Sequence, residues 1–157
     1  MRQLSLLFTL LLLCCLNDEV FAESWKGIIP LHSTRADVEK ILRVKSSGKG
    51  VDEYEVDMET VQIRYTTEPC PPGGGGEWDA PVGTVTSIWV FPHNDVLFGE
   101  LGFDTRRFRI LGTDVKGEKI YTDDKNGVVI DVNESNGKVL YFYYYERDDD
   151  RQMRCRA

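Results

Sequence analysis

Regular alternation of apolar and polar residues is the clearest pattern in the chain, and it predicts β-strands. In the segment TVQIRYT, Val61, Ile63 and Tyr65 fall on one face of an extended backbone, whereas Gln62 and Arg64 fall on the other. A strand of this kind covers a core with its apolar face and meets water with its polar face.

The same reasoning predicts four more strands. TVTSIWVF, at 84–91, is apolar on both faces near its end, which is typical of a central strand. The segment KIYTDDKNGVVIDVNESNGKVLYFYYYE, at 119–146, divides into three strands separated by DDKNG and NESNG. Each of these turns contains an Asn-Gly pair, which accepts positive φ and suits a hairpin. We therefore expect an antiparallel meander at the C-terminal end.

One segment predicts an amphipathic helix. Thr34 has the character of an N-cap and Asp37 that of its partner three positions later. The charged residues that follow the cap, Arg35 among them, are expected to face water. The apolar positions lie three and four residues apart and form one stripe: Val38, Ile41 and Leu42.

A second, shorter helix is predicted between the strands, within NDVLFGELGFDTRRF at 94–108, although two glycines weaken it. Together these elements indicate an α+β fold, in which one or two helices pack on one face of an antiparallel sheet of about five strands. The apolar residues of the second helix are Val96, Leu97, Phe98, Leu101 and Phe103.

The first 22 residues have the features of a signal peptide. Arg2 provides a positive charge, an apolar run follows at 4–16, and Val20 and Ala22 occupy the small-residue positions before cleavage. Removal of residues 1–22 leaves a single domain at 23–157, and no later segment has the length and apolar character of a membrane span. We expect a secreted or periplasmic protein.

A lipoprotein signal is the alternative, since Cys14 and Cys15 end the apolar run. The residue before Cys14 is Leu13, whereas such signals prefer a small residue there. A lipid-anchored form is therefore the less favoured prediction.

Only two cysteines, Cys70 and Cys155, follow the predicted leader. In an oxidising compartment such a pair most often forms a disulfide. A nucleophilic or metal-binding thiol is the competing interpretation. Neither cysteine has a second one at metal-ligand spacing, and the two histidines, His32 and His93, lie near neither of them in sequence.

Charge argues against nucleic acid as a partner. The formal net charge is -7, and affinity for phosphate backbones comes largely from Lys and Arg side chains that release counterions. The basic segment RRFR at 106–109 is too short to reverse that balance.

The segment LHSTRADVEKIL resembles the leader-to-helix motif of the SmpA/OmlA (BamE-like) envelope proteins, with Thr34, Arg35, Asp37, Val38 and Leu42 at matching positions. That family usually has Gly-Met before the cap and Leu-Gly-x-Pro after it, and this chain has neither. More broadly, WKGIIPLHSTR, the cysteine segments and GEWDAPVGTV resemble a class of exported bacterial envelope domains of uncharacterised function. The resemblance implies a small envelope domain and supplies no catalytic residues.

The sequence shows no pattern for catalysis, a metal or a cofactor, so we expect no enzyme. His32 precedes Ser33, but HST is better explained as helix capping, and no pair of carboxylates stands out. DDKNG resembles the start of a calcium loop without its later ligands, so weak calcium binding stays open. PPGGGGEW lacks the Lys-Ser/Thr that a phosphate loop requires.

Aromatic side chains provide the best functional indication. In YFYYYE, Tyr141, Tyr143 and Tyr145 share one face of a strand. Together with Trp78 and Trp89 they are predicted to form a partner-binding surface. Cross-strand packing that only stabilises the sheet is the simpler explanation. We predict a non-enzymatic binding or scaffold domain for a protein or envelope partner. The alternatives are an inhibitor of a secreted or periplasmic hydrolase that inserts its PCPPGGGGEW loop, and a small carboxylate-dependent hydrolase.

Overall fold

The computed structural model of the protein describes residues 24–45, 48, 50–72, 77–112 and 115–156. The predicted signal peptide at 1–22 lies outside the described residues, as does the glycine run at 73–76.

A seven-stranded antiparallel sheet dominates the described part of the chain. The strand order is β1-β2-β3-β7-β6-β5-β4, so β3 and β7 are neighbours near its centre. The α+β prediction is therefore wrong: the described residues are mostly β, with one α-helix among them, α1 (Arg35–Leu42), and short 3-10 segments. The strands are β1 (Val51–Val56), β2 (Glu59–Tyr65), β3 (Val85–Pro92), β4 (Arg109–Leu111), β5 (Glu118–Asp123), β6 (Val128–Asn133) and β7 (Val139–Tyr144).

The two strands that the sequence pattern missed are the edge strands β1 and β4. The side chains that β1 turns inward are Asp52 and Tyr54. Aspartate is depleted in strands, so a buried aspartate hides the alternation. β4 has only three residues and begins at Arg109, the last residue of the basic segment RRFR. Neither strand has the apolar pattern on which the count of five depended.

Helix α1 begins where predicted. The Thr34 side chain accepts a hydrogen bond from the Asp37 backbone N–H, and the Asp37 carboxylate accepts one from the Thr34 N–H at 2.8 Å. Val38 is fully buried, but Ile41 is 40% exposed. The buried face of the helix therefore does not include all three residues of the predicted apolar stripe. Leu42 is the last helical residue, and the C-cap residue Arg43 has a left-handed backbone conformation.

The second predicted helix is absent, since residues 94–108 instead contain the 3-10 turns Phe98–Glu100 and Thr105–Arg107. The Phe98 N–H donates to the Gly137 carbonyl at 3.0 Å, and the Phe98 ring stacks on Tyr121 with centroids 4.1 Å apart. These contacts to the sheet hold Phe98 in a turn, and nearby glycines give a helix little competing support.

The C-terminal meander is confirmed, because β5, β6 and β7 are sheet neighbours in chain order. Gly127 and Gly137, the glycines of the two predicted turns, have φ of 64° and 72°. Positive φ is the property for which glycine is suited in such turns.

The main core lies against one face of the sheet. Helix α1, the segment that precedes it and the loop around Phe98 all contribute side chains to this cluster. A second, smaller cluster of described residues contains Leu31, Trp78 and Ala80. The largest side chains with almost no exposure are Ile28, Val38, Val61, Ile63, Val85, Ile88, Val90, Val128 and Ile130.

The predicted disulfide is confirmed between Cys70 and Cys155, whose Cα atoms lie 5.3 Å apart. Backbone hydrogen bonds reinforce it: the Cys155 N–H donates to the Glu77 carbonyl at 2.9 Å, and the Asp79 N–H donates to the Met153 carbonyl at 2.8 Å. The C-terminal segment is thereby attached to the loop between β2 and β3.

Candidate functional site

Five aromatic rings form a continuous row on the sheet face opposite the main core, and we call this row the aromatic stripe. The rings of Trp89 and Tyr143 have centroids 4.2 Å apart, and those of Trp89 and Tyr141 are 5.0 Å apart. Phe91 lies 6.3 Å from Trp89 at one end, and Tyr145 lies 5.6 Å from Tyr143 at the other. All five residues are half-buried, so each presents part of its surface to solvent.

Strand pairing produces this row directly. Trp89 in β3 lies opposite Tyr143 in β7. Side chains two positions apart on a strand share a face, which adds Phe91 on β3 and Tyr141 on β7. The intervening residues, among them Val90, point to the main core.

Tyr145 is the most firmly held ring of the stripe. Its hydroxyl donates to Asp124 Oδ1 at 2.7 Å and lies 3.3 Å from Thr122 Oγ1. This hydrogen bond is the first cause that lowers the pKa of Asp124, whereas burial raises the pKa of Tyr145 well above its usual value. Tyr145 therefore has a structural role at the end of the stripe.

An acidic group borders the stripe at Tyr141. Asp131 is opposite Tyr141 in the β6–β7 register and is buried. Burial first, and then the charge of Asp131, raise the pKa of Glu118 and that of the Tyr141 hydroxyl. Within the described residues Asp131 Oδ1 has no hydrogen-bond partner. This margin of the stripe is therefore negatively charged, and one of its buried carboxylate oxygens accepts no hydrogen bond from the described residues.

Polar residues of β1 and β2 form the opposite margin. Gln62, which pairs with Trp89 in register, donates its side-chain amide to the Glu53 carboxylate at 2.9 Å. Thr60 donates its hydroxyl to Glu55 at 2.8 Å. Carboxylates therefore lie along both margins of the stripe, whereas the positive charges of Arg64 and Arg154 act on Tyr143 near its centre.

The structure brings together four of the five aromatic residues and separates the fifth. Trp78 is buried in a separate small cluster with Leu31, Ala80 and Met153. The Arg154 guanidinium lies 5.1 Å from the centre of the Trp78 ring, in the segment joined by the disulfide. Trp78 is therefore not part of the aromatic stripe.

Phe91 is the stripe residue that sequence reasoning missed. It lies two positions after Trp89 and directly before Pro92 at the end of β3. The two-residue period on this strand was the available signal, but the strand was interpreted as apolar on both faces and not divided between them.

The two histidines lie in separate polar contacts. His32 Nε2 lies 2.9 Å from Asp150 Oδ1 and 2.8 Å from an Arg147 nitrogen. The Ser33 hydroxyl beside it accepts a hydrogen bond from the Ile29 N–H at 2.9 Å, within the segment that precedes α1. His93 Nε2 lies 2.8 Å from the Thr60 hydroxyl. Among the described residues, these hydrogen bonds join neither histidine to a serine or a cysteine.

The acids of the DDKNG turn are engaged by neighbouring side chains. Asp123 accepts hydrogen bonds from Arg107 at 3.0 Å and from Asn126 at 2.7 Å. Asp124 accepts from Arg109 at 2.8 Å in addition to Tyr145. Across the ranges that the structure describes, no three His, Cys, Asp or Glu side chains are grouped as metal ligands.

Likewise, no helix in those ranges has the length and apolar character needed to cross a membrane.

The glycine-rich segment of the predicted inhibitory loop, 73–76, lies outside the described residues. The structure describes only the residues on either side of 73–76, so it does not test the hydrolase-inhibitor alternative.

No known protein family matches the sequence, and no curated protein matches it. Among solved structures, the chain is similar to the crystal structure of a DUF4309 family protein (YjgB) from Bacillus subtilis subsp. subtilis str. 168. The two share 15% sequence identity over 78% of this chain and 84% of that one, with a TM-score of 0.47. A similarity of this extent assigns neither a family nor a function.

Proposed function

We propose that this protein is an exported, non-enzymatic binding domain that recognises a partner protein of the cell envelope through the aromatic stripe. The observation that supports this proposal is the position of the stripe: five half-buried rings in contact with one another, on the sheet face that the main core does not use. A purely structural ladder needs neighbouring rings, but it does not need a half-exposed face.

The composition of the stripe favours a protein as the partner. Tyrosine and tryptophan are enriched at protein interfaces, because each combines a large apolar surface with a polar group and few rotatable bonds. The rings of Trp89 and Tyr143 are central to the row and rest on each other, so they are pre-organised for contact. Rigid aromatic side chains of this kind supply most of the energy in many interfaces.

The charge around the stripe specifies what the partner presents. Glu53 lies on one margin, and Glu118 and Asp131 lie on the other. The chain as a whole carries a net charge of -7. A basic surface with protruding lysine or arginine side chains complements this arrangement, since such cations also stack favourably on aromatic rings.

Capture of the partner from envelope extract, with three versions of the protein, tests the proposal. Tyr141→Ser together with Tyr143→Ser removes two central rings. Ile110→Ser is the control, because Ile110 is an exposed apolar residue on the edge strand β4, which lies three strands away from β7. Circular dichroism and thermal melting establish that all three are folded, and Tyr141→Ser alone replaces the double variant if that variant unfolds.

We expect one protein to be retained by the wild type and by Ile110→Ser, and its affinity to fall at least about tenfold with the stripe variant. With the purified partner, affinity should also fall as salt is raised, because the attraction is between opposite charges. Equal retention by the stripe variant contradicts the proposal. So does capture of cell-wall glycan with no protein, which would assign the stripe to carbohydrate.

A further inference from the structure

A cavity of about 660 Å³ lies on the other side of the sheet from the aromatic stripe. Val90 of β3, together with Phe142 and Tyr144 of β7, forms its floor. These residues alternate with the stripe residues along the same strands, so the two sites share strands but no side chains. The volume is within the range of pockets that hold small organic ligands, about 300–1,000 Å³.

Aromatic and apolar groups form most of the cavity wall. Trp25, from the segment before α1, and Phe103, from the loop that follows β3, both line the cavity. Leu101 completes the apolar surface. A ligand in this cavity must therefore have an apolar body, because few of its wall atoms can form hydrogen bonds.

Two carboxylates add negative charge to this apolar space. Glu59 Oε2 accepts a hydrogen bond from Trp25 Nε1 at 3.0 Å, and Glu100 lies at the exposed rim. Burial, and secondly the charge of Glu59, raise the pKa of the Tyr144 hydroxyl well above its usual value. Across the described parts of the chain no Lys, Arg or His pairs with either glutamate.

Lys26 is the one cation among the described lining residues, and its contact is with a different carboxylate. Its ammonium donates a hydrogen bond to the Asp57 carboxylate at 2.6 Å. The net charge presented to a ligand is therefore negative. Aromatic rings also attract cations through the negative potential of their faces, and the Lys26 ammonium itself lies 5.5 Å from the Trp25 ring centre.

We propose that this cavity binds a small amphiphilic cation, a molecule with an apolar body and a single ammonium-type group. The apolar body lies between Trp25 and Phe103, and the cationic group lies beside Glu59 and Glu100. This site is independent of the aromatic stripe, because none of its lining residues belongs to the stripe.

Isothermal titration calorimetry with two matched probes tests the inference. Decyltrimethylammonium is the cationic probe and decanesulfonate is its anionic counterpart, both used below the concentration at which they form micelles. The protein is prepared by expressing the full chain and is titrated as it is recovered. We expect saturable binding of the cation, and we expect the Kd for the anion to be at least about tenfold higher.

Glu59→Gln with Glu100→Gln is the informative variant. Glutamine retains a side-chain oxygen that accepts the Trp25 N–H, so the charge is removed while the hydrogen bond is kept. The preference for the cation should disappear in this variant. If it does not fold, Glu100→Gln alone, at the exposed rim, should weaken cation binding about threefold or more, as a single exposed charge near a ligand does.

The Tyr141→Ser and Tyr143→Ser variant should bind the cation as the wild type does, which separates this site from the aromatic stripe. Three results would overturn the inference: no saturable binding of the cation, equal affinity for both probes, or an unchanged preference after the carboxylates are replaced. Loss of partner capture by the stripe variant has no bearing on any of them.

Discussion

The guanidinium of Arg35 lies 3.9 Å from the centre of the Tyr65 ring and also pairs with the carboxylate of Asp52. Arg35 is at the start of α1, and Asp52 and Tyr65 belong to β1 and β2. The two contacts of Arg35, with Tyr65 and with Asp52, therefore attach the helix to the edge of the sheet. Arg35 was expected to face water, but its side chain is only 23% exposed.

Replacing Arg35 by Met should lower the free energy of unfolding by about 2–3 kcal/mol. It leaves the buried Asp52 carboxylate without this partner, and the cost is below that of a fully buried pair because Arg35 keeps some contact with water. Chemical denaturation measures the change. Lys40→Met, an exposed change on the same helix, should stay within about 0.5 kcal/mol. If the two variants lose equal stability, the Arg35 contacts contribute nothing specific.

Removal of the Tyr145 hydroxyl should destabilise the protein in a pH-dependent way. The pKa of Asp124 is lowered in the folded state, first by the Tyr145 hydrogen bond, so the associated stability is present above the ordinary carboxyl pKa and is lost as pH falls through the lowered one. We expect Tyr145→Phe to cost about 1–2 kcal/mol at pH 7 and less at about pH 2–3. Denaturant midpoints at both pH values test this, and a loss independent of pH would contradict the assignment.

Gly127 should not tolerate alanine. Its φ is 64°, and an added Cβ would lie 2.3 Å from the Tyr145 carbonyl oxygen. We expect Gly127→Ala to cost about 3 kcal/mol or more, because backbone strain adds to a clash with backbone. Gly137→Ala is the control, with a φ of 72° and nothing within 4 Å of the added Cβ. It should cost only about 1–2 kcal/mol, so similar losses in thermal melts would show that the clash is relieved.

The hairpin between β1 and β2 should be improved by glycine. Asp57 and Met58 form its two-residue turn, and both have positive φ, at 50° and 65°. Side chains other than glycine are disfavoured in this conformation, and hairpin turns of this type prefer glycine. Met58→Gly should raise the free energy of unfolding by about 0.5–1 kcal/mol. Met58→Ala should show no such gain, since alanine keeps the Cβ.

The disulfide should be a large contributor to stability. Cys70 and Cys155 are 85 positions apart, and closure of such a loop stabilises by roughly 4 kcal/mol in the chain-entropy model. Cys70→Ser together with Cys155→Ser should lose about that amount in denaturant titrations. Reductant should lower the stability of the wild type to the same level and leave the double variant unchanged. A reductant effect on the double variant would point to another cause.

The meander could be predicted because its determinants are local. Alternation decides which side chains of β6 and β7 point to the core, and the Asn-Gly pairs decide where the chain turns. The cap of α1 is local as well, since Thr34 and Asp37 contact each other. Edge strand β1 was missed because its inward Asp52 is acceptable only beside Arg35, which comes from another element.

By itself the sequence determined the central strands, the turns between β5, β6 and β7, and the start of the helix. It also indicated the disulfide between Cys70 and Cys155. Each of these depends on neighbours in the chain or on residue type alone. Only the tertiary structure decided that Phe91 joins Trp89 and Tyr143 in the aromatic stripe, that Trp78 does not, and that Glu59 and Glu100 border one cavity. These arrangements depend on strand order and on the packing of distant segments, which no local pattern encodes.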